Sequence, residues 1–247
     1  MLKKIGKTIS DSTQALGAQI KGITTKQAIN LFGGILKNGN DTQAMQMLKI
    51  LDFLTPKKIK EDTTQVQWII EDIKRKGPWS QLVKRFFREA NPNCREKLIH
   101  NFLINHTYTG EVKRRENSEK EGFNMPLFFV VSPSMTCNLR CTGCYAGEYS
   151  RKDNLPFEVH DSVIKQGKEL GTHFFTTSGG EPFFNEDNFK IWEKHNDCYF
   201  LVYTNGTLID EKMAKRLAKL GNVTPAISVE GMEKETDARR GKGTWKK

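Results

Sequence analysis

The second half of the chain alternates short apolar runs with amphipathic helical patterns, and this alternation limits the folds that it can adopt. The apolar runs cover 127–131, 174–177, 199–203 and 226–229. Between them apolar residues recur at helical spacing, as in Met213, Leu217 and Leu220, which Gly221 follows. Strands that alternate with helices predict βαβ units and a parallel sheet. Ligands of such sheets bind at the carboxyl ends of the strands, so we expect the functional residues there.

The first 110 residues show helical periodicity instead. Four or five amphipathic helices bounded by Gly and Pro are predicted, the last two beginning near Pro78 and Pro92. We therefore expect a helical N-terminal domain over 1–110. Residues 111–122 are charged and almost without apolar side chains, which predicts a loop or linker over 111–125 and an α/β domain over 126–247.

Composition restricts the class of protein. No uninterrupted apolar run approaches the length of a membrane span, and the basic N-terminus leads into polar residues 8–14 rather than the apolar core of a signal peptide. We therefore expect a cytoplasmic protein with no membrane partner. The net charge is +10, of which ten Lys against three Asp in the first sixty residues supply +7. These lysines are dispersed among apolar helical positions, which favours a solvated helix face over a nucleic-acid-binding surface.

Three of the five cysteines, Cys137, Cys141 and Cys144, lie within eight positions in the spacing C-x3-C-x2-C. An odd cysteine total with three clustered and two distant favours metal binding over a disulfide framework. A loop of this length can present three thiolates to one side of a compact inorganic centre, which suits an iron–sulfur cube. Structural sites normally fill their coordination shell, so three local ligands predict an open position for a substrate or cofactor.

This spacing resembles the radical S-adenosylmethionine (SAM) superfamily, whose signature is C-x3-C-x2-C on the loop after the first strand of a (βα) barrel. The match continues after the next apolar run with Gly179-Gly180-Glu181-Pro182, where that superfamily has its GGE motif. The resemblance covers about Leu127 to Trp245. It implies an α/β fold with a partial (βα) barrel, and because the superfamily usually has six βα units, we expect a chain that is incomplete at its C-terminus.

The resemblance also implies the chemistry. The three cysteines would hold a [4Fe–4S] cluster, and one iron would remain free to be chelated by SAM. Reductive cleavage of SAM would then give a 5′-deoxyadenosyl radical that abstracts a substrate hydrogen. Such an enzyme needs a low-potential electron donor, such as ferredoxin or flavodoxin.

Further SAM contacts follow from the same resemblance. The Gly179–Gly180 backbone would lie against the SAM amino group, and Glu181 would help hold the strand end. Thr204 and Asn205 would offer a hydroxyl and an amide to the ribose or the carboxylate, although Asn-Gly is equally common in plain turns.

The stretch from Ser228 to Gly231 resembles the S-[LIV]-D-G motif of the subgroup that matures peptides and sulfatases, which implies a peptide as a candidate substrate. In that subgroup the serine and a later arginine meet the SAM carboxylate. Here Glu230 replaces the usual Asp, and either Arg239 or Arg240 could be the arginine. A solvated basic tail is the alternative interpretation of these arginines.

One position departs from the family pattern, because Gly143 stands where many members have an aromatic residue near the adenine. Tyr145 could take over part of that contact. A second hypothesis is a non-catalytic protein, either a truncated iron–sulfur protein or a zinc protein whose site is completed by Cys94 or a histidine, since zinc accepts three cysteines and one histidine. We expect an unligated Cys94 and a core Cys198, and none of the five histidines joins a recognisable ligand set.

Overall fold

The computed structural model describes residues 71–72, 75–150, 152 and 154–247, and the chain divides into two compact units, residues 1–90 and 91–247. In the first unit, helix α1 (Pro78–Glu89) begins at a proline, and the Ser80 N–H donates to the Asp72 carboxylate at 2.7 Å. The first two predicted helices and nearly all of the third lie outside the described residues, so the all-α domain stays a prediction. Among the described residues, no helix is long and apolar enough to cross a membrane.

The second unit opens with thirty helical residues. They comprise α2 (Pro92–Lys97), a π-helical segment (Leu98–Thr109) and α3 (Gly110–Glu121). The Asn91 side chain accepts the Asn93 N–H and so satisfies one of the donors at the start of α2.

The charged segment that we expected to be a loop is therefore helical, and this part of the sequence prediction is wrong. Glu111 pairs with Arg114 and Arg115, at the spacings that bring side chains together on a helix. Arg114 is buried and donates to the Gly171 carbonyl at 2.7 Å, which anchors α3 to the rest of the unit. The helix ends at Gly122, whose φ of 79° lies in the left-handed region.

Four parallel strands form one sheet in the order β1-β2-β3-β4. The strands are β1 (Phe129–Val131), β2 (Phe174–Thr177), β3 (Tyr199–Thr204) and β4 (Val223–Ile227). They are connected through α4 (Phe157–Glu169), α5 (Glu186–Lys194) and α6 (Glu211–Leu220), and α7 (Glu233–Arg240) follows β4. This confirms the predicted α/β class with alternating parallel strands and helices.

Strand β4 begins three residues earlier than the apolar run 226–229 indicated. Pro225 pairs in register with Val202 inside this strand. A proline has no N–H to donate, but β4 has only β3 as a neighbour within the described sheet, so the missing donor is tolerated there.

The core lies between the sheet and the connecting helices. Phe129, Phe175 and Phe200 occupy one register row and stack with successive ring centroids 5.9 Å apart. Trp192 from α5 is fully buried and contacts Phe200. Cys198 is also fully buried in this core, as predicted.

The helical segment 92–121 covers the amino edge of the sheet. Asn93 donates to carbonyls in the last turn of α6, and Asn101 donates to the carbonyls of Asn196 and Cys198 ahead of β3. These donors satisfy backbone groups that helix ends leave unpaired. The carboxyl edge of the sheet is the opposite edge, where the predicted motifs lie.

Candidate functional site

The two glycines after β2 let the backbone of the cysteine loop approach closely. The Gly180 N–H donates to the Ser134 carbonyl at 2.9 Å, and the Glu181 N–H donates to the Thr136 carbonyl at 2.8 Å. A Cβ at Gly180 would lie 2.1 Å from the Thr136 oxygen, and one at Gly179, where φ is +105°, would lie 2.3 Å from the Ser134 oxygen. Having no side chains, these glycines make room for residues 134–136, and their expected contact with the SAM amino group stays a prediction.

Glu181 is a buried carboxylate that fastens the ends of β2 and β3 together. One oxygen accepts the Thr204 hydroxyl at 2.8 Å and the Phe183 N–H at 3.2 Å, and the other accepts the Asn205 N–H at 2.8 Å. Glu181 is only 2% exposed. The three protein donors therefore take the place of the water molecules that would bond to this carboxylate if it were exposed. The expected role of Glu181 in holding the strand end agrees with these contacts.

Thr204 is buried at the carboxyl end of β3. It is 2% exposed, and its hydroxyl donates to Glu181 while accepting the Gly206 N–H at 3.0 Å. The hydroxyl therefore supports the strand end from within, and its expected contact with the SAM ribose or carboxylate stays a prediction.

Asn205 reaches the cysteine loop. Its side-chain oxygen accepts the N–H of Thr207 at 2.9 Å and the Thr207 hydroxyl at 2.7 Å, so the amide nitrogen faces the loop. That nitrogen donates to the Asn138 side chain at 2.9 Å and approaches the Cys137 sulfur at 3.9 Å. Asn138 in turn donates to the Thr207 hydroxyl at 2.9 Å. We call Asn138, Asn205 and Thr207 the amide cluster.

The three motif cysteines line one pocket of about 320 Å³ together with Leu139, Arg140, Gly143 and residues 146–148. All three are half-buried free thiols. Burial raises the pKa of the Cys141 thiol above its ordinary value, and the nearby Arg240 guanidinium opposes this rise. A half-buried set of three thiols around one pocket is the donor set of an iron–sulfur centre, so the residues present fit a [4Fe–4S] cluster.

A single-ion site receives less support. In the described part of the chain, no three His, Cys, Asp or Glu side chains converge closely enough to hold one metal ion. Cluster ligands bind different irons and stand further apart than the ligands of one zinc. Cys94 does not complete the set, because its sulfur lies 4.0 Å from the Ala218 carbonyl, at the opposite edge of the sheet.

Helix α7 closes one side of the cysteine loop. The Thr142 N–H donates to the Arg239 carbonyl at 2.8 Å. Both Arg239 and Arg240 pair with Glu230, at 2.5 Å each, and hydrogen bonds from Arg240 and then Arg239 hold the pKa of that carboxyl below its ordinary value. The two arginines thus lie beside the cysteine loop, and both already pair with Glu230.

Tyr145 lies against the glycines, where its hydroxyl accepts the Gly179 N–H at 3.2 Å and is 3.1 Å from the Ser178 hydroxyl. Gly143 has a φ of +68°, in the left-handed region that an aromatic residue rarely adopts.

Ser228 is half-buried just beyond β4, and its N–H donates to the Thr204 carbonyl at 2.9 Å.

Three of the five histidines, described next, lie away from the cysteine loop. His195 is buried and bonds Asp161 at 2.9 Å between α4 and α5. His106 is buried beside Arg114, and its ring nitrogen accepts the His173 N–H at 3.3 Å. Asn138 and Thr207 were not among the site residues predicted from the sequence. The signal for Asn138 was its place between two motif residues, and nothing in the sequence pattern marked Thr207.

Comparison with known proteins shows which family model the part of the chain with the cysteine loop matches. Residues 131–247 match the model of the Radical SAM superfamily. The chain is 32% identical over 118 residues to the Fe-coproporphyrin III synthase of Methanosarcina barkeri, covering 45% of this chain and 30% of that protein.

The cysteine-type anaerobic sulfatase-maturating enzyme of Clostridium perfringens is 34% identical over 112 residues, which cover 38% of this chain and 30% of the enzyme. The crystal structure of Streptococcus suis SuiB bound to precursor peptide SuiA is similar at 25% identity and a TM-score of 0.45, over 53% of this chain and 30% of SuiB. The chain therefore spans about a third of the length of these relatives.

Proposed function

Because residues 131–247 match the model of the Radical SAM superfamily, we propose that this chain holds a [4Fe–4S] cluster on Cys137, Cys141 and Cys144 and cleaves SAM reductively. When bound, the cluster supplies the electron that breaks a carbon–sulfur bond of SAM, which yields a 5′-deoxyadenosyl radical that abstracts a substrate hydrogen. The observation that carries the proposal is that the three cysteines line one half-buried pocket beside the GGE segment at the carboxyl edge of the sheet.

The protein's own residues have three tasks in this proposal. The Gly180 and Glu181 backbone bonds fix the loop that carries the thiolates. Arg239 or Arg240 would pair with the SAM carboxylate, for which the planar guanidinium is suited, after exchanging its bond to Glu230. Tyr145 at the mouth of the site would cover part of the adenosine in place of the aromatic residue that Gly143 replaces.

We further propose a peptide or protein as the substrate and a low-potential electron-transfer protein, such as ferredoxin or flavodoxin, as the partner. Support for the substrate comes from the 34% identity to a sulfatase-maturating enzyme and from the Ser228–Gly231 stretch. The relative from Methanosarcina is named for a porphyrin product. The family model matches residues 131–247, which include the cysteine loop, so the radical-forming step is the part of the proposal with the most support.

Anaerobic reconstitution with iron and sulfide tests the proposal. We expect the broad visible absorption of iron–sulfur charge transfer, and formation of 5′-deoxyadenosine when SAM and a strong reductant are added. Cys141→Ala should abolish both, whereas Cys94→Ala, at the opposite edge of the sheet, should leave both unchanged. Wild-type production of 5′-deoxyadenosine by Cys141→Ala would show that the cluster loop is assigned wrongly. Stoichiometric zinc without visible absorption would favour the zinc alternative.

A further inference from the structure

The sulfur of Cys137 differs from the other two motif sulfurs in its surroundings. The Leu139 N–H donates to it at 3.4 Å, and the Asn205 amide nitrogen approaches it at 3.9 Å. In the described part of the chain, the N–H groups that lie within hydrogen-bonding range of a motif sulfur are all directed at the sulfur of Cys137. The thiolate of Cys137 would therefore accept hydrogen bonds from two separate segments of the chain.

The orientation of the Asn205 amide is determined by its other contacts. Its oxygen accepts two bonds from Thr207, so its nitrogen must face the cysteine loop. Its backbone N–H is held by the buried carboxylate of Glu181 at 2.8 Å. The donor is thus held at both its backbone and its side chain, and little reorganisation is needed for it to interact with the sulfur.

Ligation would strengthen this interaction. In the structure the Cys137 thiol lies 3.9 Å from the Asn138 side-chain oxygen, to which its S–H can donate. A cysteine that binds iron loses that proton and becomes an acceptor only, so the contact to the Asn138 oxygen would lose its donor. The bonds from Leu139 and Asn205 would become charge-assisted, and such bonds are shorter and stronger than neutral ones.

We propose that Asn205 is a positioning residue that tunes the reduction potential of the cluster through the Cys137 sulfur, an inference that rests on the proposed function. Reduction adds an electron to the cluster, and part of that negative charge resides on the ligating sulfurs. An N–H directed at such a sulfur stabilises the reduced form and raises the potential. Glu181 and Thr207 act through Asn205, because they fix its backbone and its side chain.

The test compares wild type with Asn205→Asp in the full chain, reconstituted anaerobically and titrated potentiometrically with EPR detection. Asn205→Asp keeps the size of the side chain but replaces the N–H donor near Cys137 with a negative oxygen. We expect the ratio of reduced to oxidised cluster at a fixed potential to fall about tenfold, a shift of about 59 mV for one electron. Asn205→Ala, which removes the donor without adding charge, should shift the ratio in the same direction by less.

Two controls separate tuning from a loss of structure. Iron content per chain and circular dichroism should match wild type in both variants, and Lys212→Gln, an exposed position on α6, should leave the potential unchanged. A wild-type potential in both Asn205 variants, with full iron content, would overturn the inference and leave the proposed function intact. Failure of the wild-type chain to bind any cluster would instead refute the proposed function. Loss of iron in Asn205→Ala itself would also contradict the inference, because Asn205 would then be required for assembly and not for tuning.

Discussion

Substitution of Gly180 by alanine tests how the GGE segment positions the cysteine loop. The new Cβ would lie 2.1 Å from the Thr136 carbonyl oxygen and 2.7 Å from the Met135 carbonyl carbon, and real Cβ contacts are essentially never shorter than 3.0 Å. The atoms to be displaced belong to the backbone, so no side chain can rotate away. The two segments must therefore separate by about 1 Å. A displacement of this size lowers the rate of a reaction that depends on precise orientation by about 100-fold.

The energetic cost has two parts. Overpacking of this kind costs about 1–3 kcal/mol. Separation also weakens the bonds from the N–H groups of Gly180 and Glu181 to the Ser134 and Thr136 carbonyls, each of which contributes about 1 kcal/mol. We expect Gly180→Ala to lower the free energy of unfolding by about 3 kcal/mol.

Two assays measure these effects. Urea denaturation of the cofactor-free protein should show the loss of stability, and iron content after anaerobic reconstitution should fall well below that of wild type. Gly147→Ala is the matched control for the urea measurement, because it lies three residues after Cys144 and an added Cβ there meets no protein atom within 4 Å. If Gly180→Ala unfolded at the wild-type urea concentration and bound the wild-type amount of iron, the reasoning about close backbone approach would be refuted.

Two further predictions concern regions away from the site. Asn101→Leu should lower the free energy of unfolding by about 2–3 kcal/mol, because it removes the donor to the carbonyls of Asn196 and Cys198. Urea denaturation measures this loss, and an unchanged midpoint would contradict the role of the helical segment 92–121 in covering the sheet edge. Burial lowers the pKa of His160 from 6.5 to about 4 in the folded protein, so the unfolded chain binds the proton more readily. The free energy of unfolding should therefore fall as pH drops from about 6.5 to 4, by about 3 kcal/mol for this group. His160→Leu should flatten that part of the pH profile, and an unchanged profile would show that the group does not titrate as the structure indicates.

The strand and helix alternation could be predicted because it follows directly from residue pattern. Apolar runs such as 174–177 gave strands, and the periodic residues of α6 gave a helix that ends at Gly221. The cysteine spacing was equally informative, since all three thiols must come from one loop. Both signals are local in the sequence.

Tertiary contacts decided what the pattern could not show. Residues 110–121 are nearly without apolar side chains, yet they form a helix with local ion pairs from Glu111, and its Arg114 reaches the Gly171 carbonyl, 57 residues away in sequence. The limits of β4 depended on its pairing with β3, which accommodates Pro225. The hydrogen bond from the Thr204 hydroxyl to Glu181 could not be predicted either, because Glu181 follows the neighbouring strand β2 and lies 23 residues away in sequence.

The most direct test of the central claim is the EPR spectrum of the reconstituted, reduced chain with and without SAM, measured on the Cys94→Ala, Cys198→Ser double variant. If Cys137, Cys141 and Cys144 hold the cluster and leave one iron open, this variant should give the signal of a reduced [4Fe–4S] cluster, and added SAM should change that signal. A chain that lost the signal with these two substitutions, or a signal that SAM left unaltered, would contradict the account.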